Sequence, residues 1–313
     1  MKPTLIFFGS FGHYSALVLS ELLHSDLVEV KHVVTTPPVI SKKGEEIKGA
    51  VQVLAEENNI AVTTQIPHLF SDISPDFSAD FIITAGYGKL LPPKLLSESS
   101  IASLNLHFSL LPKYRGANPG EWAILMGEKE TGTTVIEMNE EFDKGGTISS
   151  SKTPITPTDN RETLYEKLYL DGGKKFPQVI VDFANKKLVT KPQPKDDLPY
   201  ATKFKRESGF ISWQAIKKAM NGNHANLDEV SPLLARIAQL QNLDSIPPYY
   251  IEIASRALYN FPSLWTLIST AKGEKRMKIH SSLVENNKLI LNEVQIEGQS
   301  KALFNQVKNI ISQ

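Results

Sequence analysis

Hydrophobic positions in the first half of the chain come in short unbroken runs, separated by longer stretches with helical spacing. TLIFFG (Thr4–Gly9) is an apolar run that stops at a glycine, and HYSALVLSELL behind it repeats its apolar positions every three or four residues. VEVKHVVTT (Val28–Thr36) reads as a second strand. A loop rich in Lys, Gly and Pro, Pro37 to Gly49, then leads into a helix, AVQVLAEEN. ADFIITAGYG (Ala79–Gly88) and SLNLHF (Ser103–Phe108) read as two more buried strands. Strands alternating with helices predict a parallel α/β sheet. Ligands of such sheets sit at the carboxyl ends of the strands, where Gly86–Gly88 and Asn105–Pro112 fall.

The next helix carries its own start and stop signals. Asn118 is placed to cap it, Pro119 suits its first turn, Glu121 stands three residues after the cap, and Gly127 ends it. GTTVIEM (Gly132–Met138) alternates as a strand, NEEFDKGG loops out, TISSSKTPI returns, and a helical segment from Arg161 to Lys186 follows. KPQPKDDLP (Lys191–Pro199) has the proline and charge content of a linker. Beyond it lie helical patterns to about Asn260. Within these, residues 224–248 carry Leu227, Val230, Leu234, Ile237 and Leu240 as a core-facing stripe. The strand-like runs SLWTLIS, RMKIHSSLV and KLILNEVQI come last. The pattern divides the chain into a first domain at 1–187, a linker at 188–204 and a smaller β-rich domain at 205–313.

Composition narrows the chemistry. A length of 313 residues favours two cores over one. Cysteine is absent, which excludes disulfides, thiolate metal sites and a cysteine nucleophile. The seven histidines show no ligand spacing, so no resident metal is expected. No apolar run is long enough for a membrane span. Gly9, Gly12, His13 and Glu21 break the first apolar stretch, which fits strand–turn–helix better than a signal peptide. A cytoplasmic monomer without membrane contact is the expectation. Net charge is zero, yet from Lys203 onward 14 cationic residues face 9 acidic ones, against 20 and 25 before it. That sign suits a polyanionic partner for the second half.

Two places invite a chemical reading. GSFG (Gly9–Gly12) between a strand and a helix lacks the full dinucleotide fingerprint, and no acidic residue clearly closes the next strand, so a nucleotide cofactor is rejected there. In LNLHF, alternation puts Asn105 and His107 on one side of the strand and Leu104, Leu106 and Phe108 on the other. An amide and an imidazole at a strand end can converge on one substrate atom. The amide offers a donor for a developing oxyanion, and the imidazole can take or give a proton. Asp143, in a loop with Gly145 and Gly146, is a carboxylate that would hold the tautomer of His107 and favour its charged form. From alternation alone, a polar strand end with a satisfied histidine is equally open.

The stretch NLHFSLLPKYRGANPGEWAILMGEKETGTTVIEMNEEFDKGGTI resembles the folate-dependent formyltransferase family. Asn-x-His, Ser-Leu-Leu-Pro, Arg-Gly, Glu-Thr-Gly-x-Thr and Asp-x-Gly occur in that order, and TAGYGKLLP (Thr84–Pro92) is similar to the family's folate-pocket loop. The resemblance covers residues 1 to about 205 and extends into the second domain through ASRALYNFPSLWTLIS and GEKRMKIHS. It implies an α/β protein: a Rossmann-like formyltransferase domain with a second, smaller, β-rich OB-like domain carrying a helical insertion. It implies Asn105, His107 and Asp143 as the catalytic trio. The folate site would be lined by Tyr87, Gly88, Leu90, Leu91, Pro92, Ser109, Leu110, Leu111, Pro112, Glu141 and Phe142. The implied reaction takes a formyl group from 10-formyltetrahydrofolate, without a metal, to the amino group of methionyl initiator tRNA. Alternatives are an amino-sugar nucleotide or glycinamide ribotide as acceptor, or a non-catalytic tRNA- or folate-binding module. Lys42, Lys43, Lys272, Lys275, Arg276 and Lys278 are the expected tRNA contacts. The sequence departs from the family at Phe108, at the Gly9–Gly12 turn and in the Pro37–Gly49 loop, where only Lys42 and Lys43 are adjacent cations.

Overall fold

The computed structural model describes residues 1–75, 77–194 and 200–311. Residues 195–199 of the expected linker lie outside the described residues. In chain order the regular elements begin with β1 (Thr4–Phe8), α1 (Gly12–His24), β2 (Glu29–Val34), β3 (Val39–Ile40), β4 (Glu46–Ile47), α2 (Ala50–Glu57) and β5 (Val62–Thr63). Next come β6 (Phe81–Thr84), α3 (Pro93–Leu96), β7 (Ala102–His107), α4 (Pro119–Leu125), β8 (Glu130–Glu137), β9 (Thr147–Pro154) and α5 (Arg161–Ala184). Then follow α6 (Trp213–Met220), α7 (Pro232–Leu240), α8 (Pro248–Ala257), β10 (Leu264–Thr270), β11 (Gly273–Glu285), β12 (Lys288–Ile296), β13 (Ala302–Leu303) and α9 (Phe304–Val307).

One compact unit comprises Met1–Ala117, Thr131–Pro154 and Tyr165–Ala201. Its sheet runs β5-β2-β1-β6-β7-β8-β9. The pairings β5–β2–β1–β6–β7 are parallel, and β8 turns antiparallel to β7. Leu5 to Phe8 are wholly buried, as befits a central parallel strand covered on both faces. β1 has β2 on one side and β6 on the other, so successive crossovers leave it in opposite directions. A crevice at such a switch point lies outside the strand ends. Register sets which residues meet there: Phe8 pairs with Thr84, Thr84 with Asn105, and His107 with Thr134.

The other unit comprises Asn118–Glu130, Ile155–Leu164 and Thr202–Gln313. Segments 118–130 and 155–164, which the pattern assigned to the first domain, therefore cluster with the C-terminal part of the chain. Helix α4 packs on α8, and α8 covers β11 and β12. Helices α6 and α7 start where Ser212 and Ser231 accept backbone N–H groups from Ala215 and Leu234. Within the 224–248 segment, Val230, Leu234 and Ile237 are buried, whereas Leu240 is exposed. The antiparallel sheet runs β10-β11-β12-β13, so the described residues supply four strands where an OB barrel has five. Asn118 stands at the N-cap of α4 but makes no side-chain cap: its Oδ1 is turned to the Phe204 N–H at 3.2 Å and its Nδ2 donates to Glu121 Oε1 at 3.0 Å. Gly127 ends the helix as expected, at φ +68°.

Candidate active site

Strand β7 delivers Asn105 and His107 to the sheet's carboxyl edge, and Asp143 meets them there. Asn105 Nδ2 donates to Asp143 Oδ1 at 3.3 Å, and His107 Nδ1 lies 3.4 Å from the same oxygen. The second distance is a contact between ring and carboxylate, longer than a tight hydrogen bond. The other carboxylate oxygen accepts the Gly116 N–H at 2.8 Å. On its far side the His107 ring places Nε2 3.0 Å from the Tyr114 carbonyl. Both ring nitrogens thus face oxygen acceptors, and only a doubly protonated ring can donate to both. The Thr84 hydroxyl donates to Asn105 Oδ1 at 2.7 Å. The Asp143 carboxylate, an acceptor only, fixes which end of the amide is nitrogen, and one Asn105 N–H stays unused by these contacts. His107 is buried at 5% exposure, whereas Asn105 is only partly covered, so the group facing solvent is the amide.

Local backbone geometry explains the convergence. Asp143 adopts φ +54° and Tyr114 φ +58°, left-handed positions that reverse the chain at the site. Gly116 has φ +115°, and a Cβ there would come within 2.7 Å of the Ala201 carbonyl oxygen, so the close approach requires glycine. The Ser109–Pro112 turn is held by Thr134, whose hydroxyl donates to the Ser109 carbonyl at 2.7 Å and accepts the Leu111 N–H at 3.1 Å.

The residues expected at the folate site divide. Gly88 and Leu90 are exposed, and Pro92, Leu110, Leu111 and Pro112 are partly so. Glu141 and Phe142 stand in solvent beside Asp143, and Glu141 pairs with Lys144. Tyr87 and Leu91 instead turn inward, into a core cluster with Ile6, Phe8, Val34 and Phe70. The Tyr87 ring meets Phe8 edge-on at 5.3 Å, its hydroxyl has no hydrogen-bond partner among the described residues, and burial pushes the phenol up to about 12. Ser109 is fully buried, and its hydroxyl donates to the Lys113 carbonyl at 2.6 Å. Leu90 and Phe142, 50% and 48% exposed, are the large apolar side chains left bare on the loops beside Asn105 and Asp143. A flat heteroaromatic substrate suits that surface.

Two of the three departures from the family pattern, Phe108 and the Gly9–Gly12 turn, are neighbours in space. Phe108 stacks on Tyr169 with ring centres 3.5 Å apart, and Tyr169 also packs against Phe11 and Tyr14. Ser10 secures the same turn by donating its hydroxyl to the Tyr87 carbonyl at 2.8 Å.

The expected tRNA contacts lie on two hairpins. Lys42 and Lys43 are exposed in the turn of the β3–β4 ribbon, whose Val39, Ile40 and Ile47 are bare as well. Lys272 and Gly273 form the turn into β11. Arg276 and Lys278 share one face of that strand, and alternation puts Lys275 on the opposite face with buried Met277 and Ile279. The Arg276 guanidinium lies 4.4 Å from the Trp265 ring centre.

This site has the parts of an acyl-type transfer centre: a buried imidazole, a partly open amide donor and an anchored carboxylate at the carboxyl end of β7. A formyl transferase family model matches residues 1–180. The chain is 34% identical over 221 residues to a methionyl-tRNA formyltransferase of Listeria monocytogenes, covering 67% of this chain and 68% of that one. The solved methionyl-tRNA formyltransferase from Clostridium thermocellum shares the fold, with a TM-score of 0.55, 14% identity and coverage of 94% of this chain and 98% of that one. An N-formyltransferase from Helicobacter canadensis, solved with folinic acid and dTDP-3-aminofucose, gives a TM-score of 0.55 at 19% identity over 91% of this chain and 89% of that one. The fold and site define a formyl-group transferase. The chain belongs to the formyl transferase family.

Several site partners escaped the sequence reading: Thr84, the Tyr114 carbonyl, the Gly116 N–H and Gln193. Thr84 had a signal, because it ends the strand before β7. The others act through backbone groups or from within an apparent linker, and no residue pattern marks them.

Proposed function

We propose that the protein transfers the formyl group of 10-formyltetrahydrofolate to the amino group of methionine on initiator tRNA. The observation that carries the reading is the convergence of Asn105 and His107 on one oxygen of Asp143 at the end of β7. The similarity to methionyl-tRNA formyltransferases supports the acceptor, as does the positive balance of the chain after Lys203.

In this mechanism the neutral amine attacks the formyl carbon and a new C–N bond forms. The carbonyl oxygen gains charge as it does so. The unused Asn105 N–H meets it, and a ring N–H of His107, turned from the Tyr114 carbonyl, would be the second donor, with Asp143 holding the ring's orientation. The amine proton passes to the leaving folate nitrogen, the old C–N bond breaks, and tetrahydrofolate departs. Leu90, Pro92, Leu111 and Phe142 would flank the folate substrate. Lys42, Lys43, Lys272 and Lys278 would meet phosphates.

The test supplies 10-formyltetrahydrofolate with charged initiator tRNA, an amino-sugar nucleotide or glycinamide ribotide in separate reactions. A formyl-sized mass gain on the methionyl-tRNA alone is expected. A gain on another acceptor alone would reassign the substrate, and none on any would remove the enzymatic reading.

A further inference from the structure

Gln193 lies in the proline-rich stretch that reads as a linker, yet its amide is saturated by the catalytic loops. Its Nε2 donates at 2.7 Å to the Asp143 carbonyl and at 2.7 Å to the Gly145 carbonyl. Its Oε1 accepts from Arg115 Nε at 3.0 Å and Nη2 at 2.7 Å. Two donors and two acceptor sites exhaust what a primary amide can offer. The orientation is also unambiguous, because a flipped amide would set oxygen against two carbonyls and NH2 against a guanidinium.

These bonds close a ring. Gln193 holds the backbone of Asp143 and the side chain of Arg115, and the next residue, Gly116, donates its N–H to the Asp143 carboxylate. Tyr114, on the other side of Arg115, holds His107 through its carbonyl. The approach of Gln193 is guided from behind. Lys191 and Thr147 exchange backbone hydrogen bonds at 2.7 and 2.8 Å, which sets the chain alongside the start of β9 two residues before Gln193. Gly145, the second loop residue it grips, has no room for a side chain, since a Cβ would fall 1.8 Å from the Glu137 carbonyl oxygen.

We infer that Gln193 is a positioning residue for formyl transfer, acting through Asp143 by locking the 143–145 loop to the 114–116 segment. This rests on the catalytic reading of Asp143. The full-length protein is assayed for transfer from 10-formyltetrahydrofolate to methionyl initiator tRNA as wild type, Gln193→Leu, Gln193→Glu, Asp143→Ala and Asp143→Ala/Gln193→Leu. Misplacing a catalytic group by a fraction of an ångström to an ångström costs up to about 100-fold. Gln193→Leu should therefore lower kcat about 10- to 100-fold, with both KM values within about threefold. Gln193→Glu keeps the acceptor for Arg115 and loses the amide donors, so it should show the same loss; it also serves if the leucine variant does not fold. In the Asp143→Ala background the leucine change should add less than about twofold, because residues acting as one unit are not additive. Wild-type kcat in Gln193→Glu, or losses that multiply in the double variant, would overturn the inference while Asp143→Ala remains impaired. Wild-type kcat in Asp143→Ala would instead overturn the catalytic reading itself, and this inference with it.

Discussion

The end of β7 and the hairpin at Gly273 are both strand ends carrying polar side chains, and they are built in opposite ways. At β7 each of the three polar side chains has a fixed partner: the Thr84 hydroxyl meets Asn105, the Gly116 N–H holds Asp143 and the Tyr114 carbonyl meets His107. At the Gly273 hairpin the Thr270 hydroxyl ties the turn, while the Lys272 side chain stands in solvent and the Arg276 guanidinium lies over the Trp265 ring. Under the proposed function the two regions would do two kinds of work. Stabilising charge on one atom needs donors held within a fraction of an ångström, whereas a polyanion is met by long, mobile cations whose contribution depends on salt more than on geometry. Variants in the first region should therefore strike kcat, and variants in the second should strike tRNA affinity.

The largest effect is expected at Asn105. Asn105→Ala removes an oxyanion donor and should lower kcat about 10²- to 10³-fold, read in a steady-state assay at saturating substrates. Asp143→Asn keeps an acceptor for the Gly116 N–H and loses the charge facing His107. A loss of about 10- to 100-fold in kcat is expected. Wild-type turnover would leave Asp143 a loop-shaping residue only. On the hairpin side, Lys42→Ala/Lys43→Ala should leave kcat alone, raise KM for tRNA severalfold and reduce the slope of log affinity against log salt by about 1 to 2. Matching kinetics for wild type and the double variant would detach the ribbon from tRNA. The smallest effect belongs to Tyr87→Phe. Deleting a buried hydroxyl that has no hydrogen-bond partner among the described residues should stabilise the protein by about 1 kcal/mol in urea titration, with KM for the folate substrate unmoved. A large rise in that KM would place the phenol in the pocket after all.

These variants are surface or site changes because the second unit cannot be cut away cleanly. Residues 118–130 and 155–164 cluster with the C-terminal part, and α4 packs on α8. Truncation after the linker would strip both segments of their partners.

How much the sequence disclosed follows from the range of the forces involved. Asn105 and His107 were legible because strand alternation is local and LNLHF obeys it. Tyr87 was not, since it sits between Gly86 at φ +66° and Gly88 at φ +71°, where no alternation rule says which way a side chain points. The placement of α4 was equally hidden. Its caps and apolar pattern read the same whichever unit it joins, and only tertiary packing on α8 decides. Gln193 was concealed by its surroundings, because KPQPKDD has linker composition while its amide is fully occupied. The two faces of β11 were accessible to alternation once the strand start at Gly273 was known, and a cluster of cations in sequence obscured it.

The measurement that bears most directly on the account is single-turnover formyl transfer by His107→Ala, with donor and methionyl-tRNA both saturating. Among the described residues the imidazole meets Tyr114 and Asp143 and none of the side chains expected at the folate site, so donor binding should persist while the chemical step slows at least about 100-fold. A chemical step at the wild-type rate in a folded His107→Ala protein would contradict the proposed mechanism.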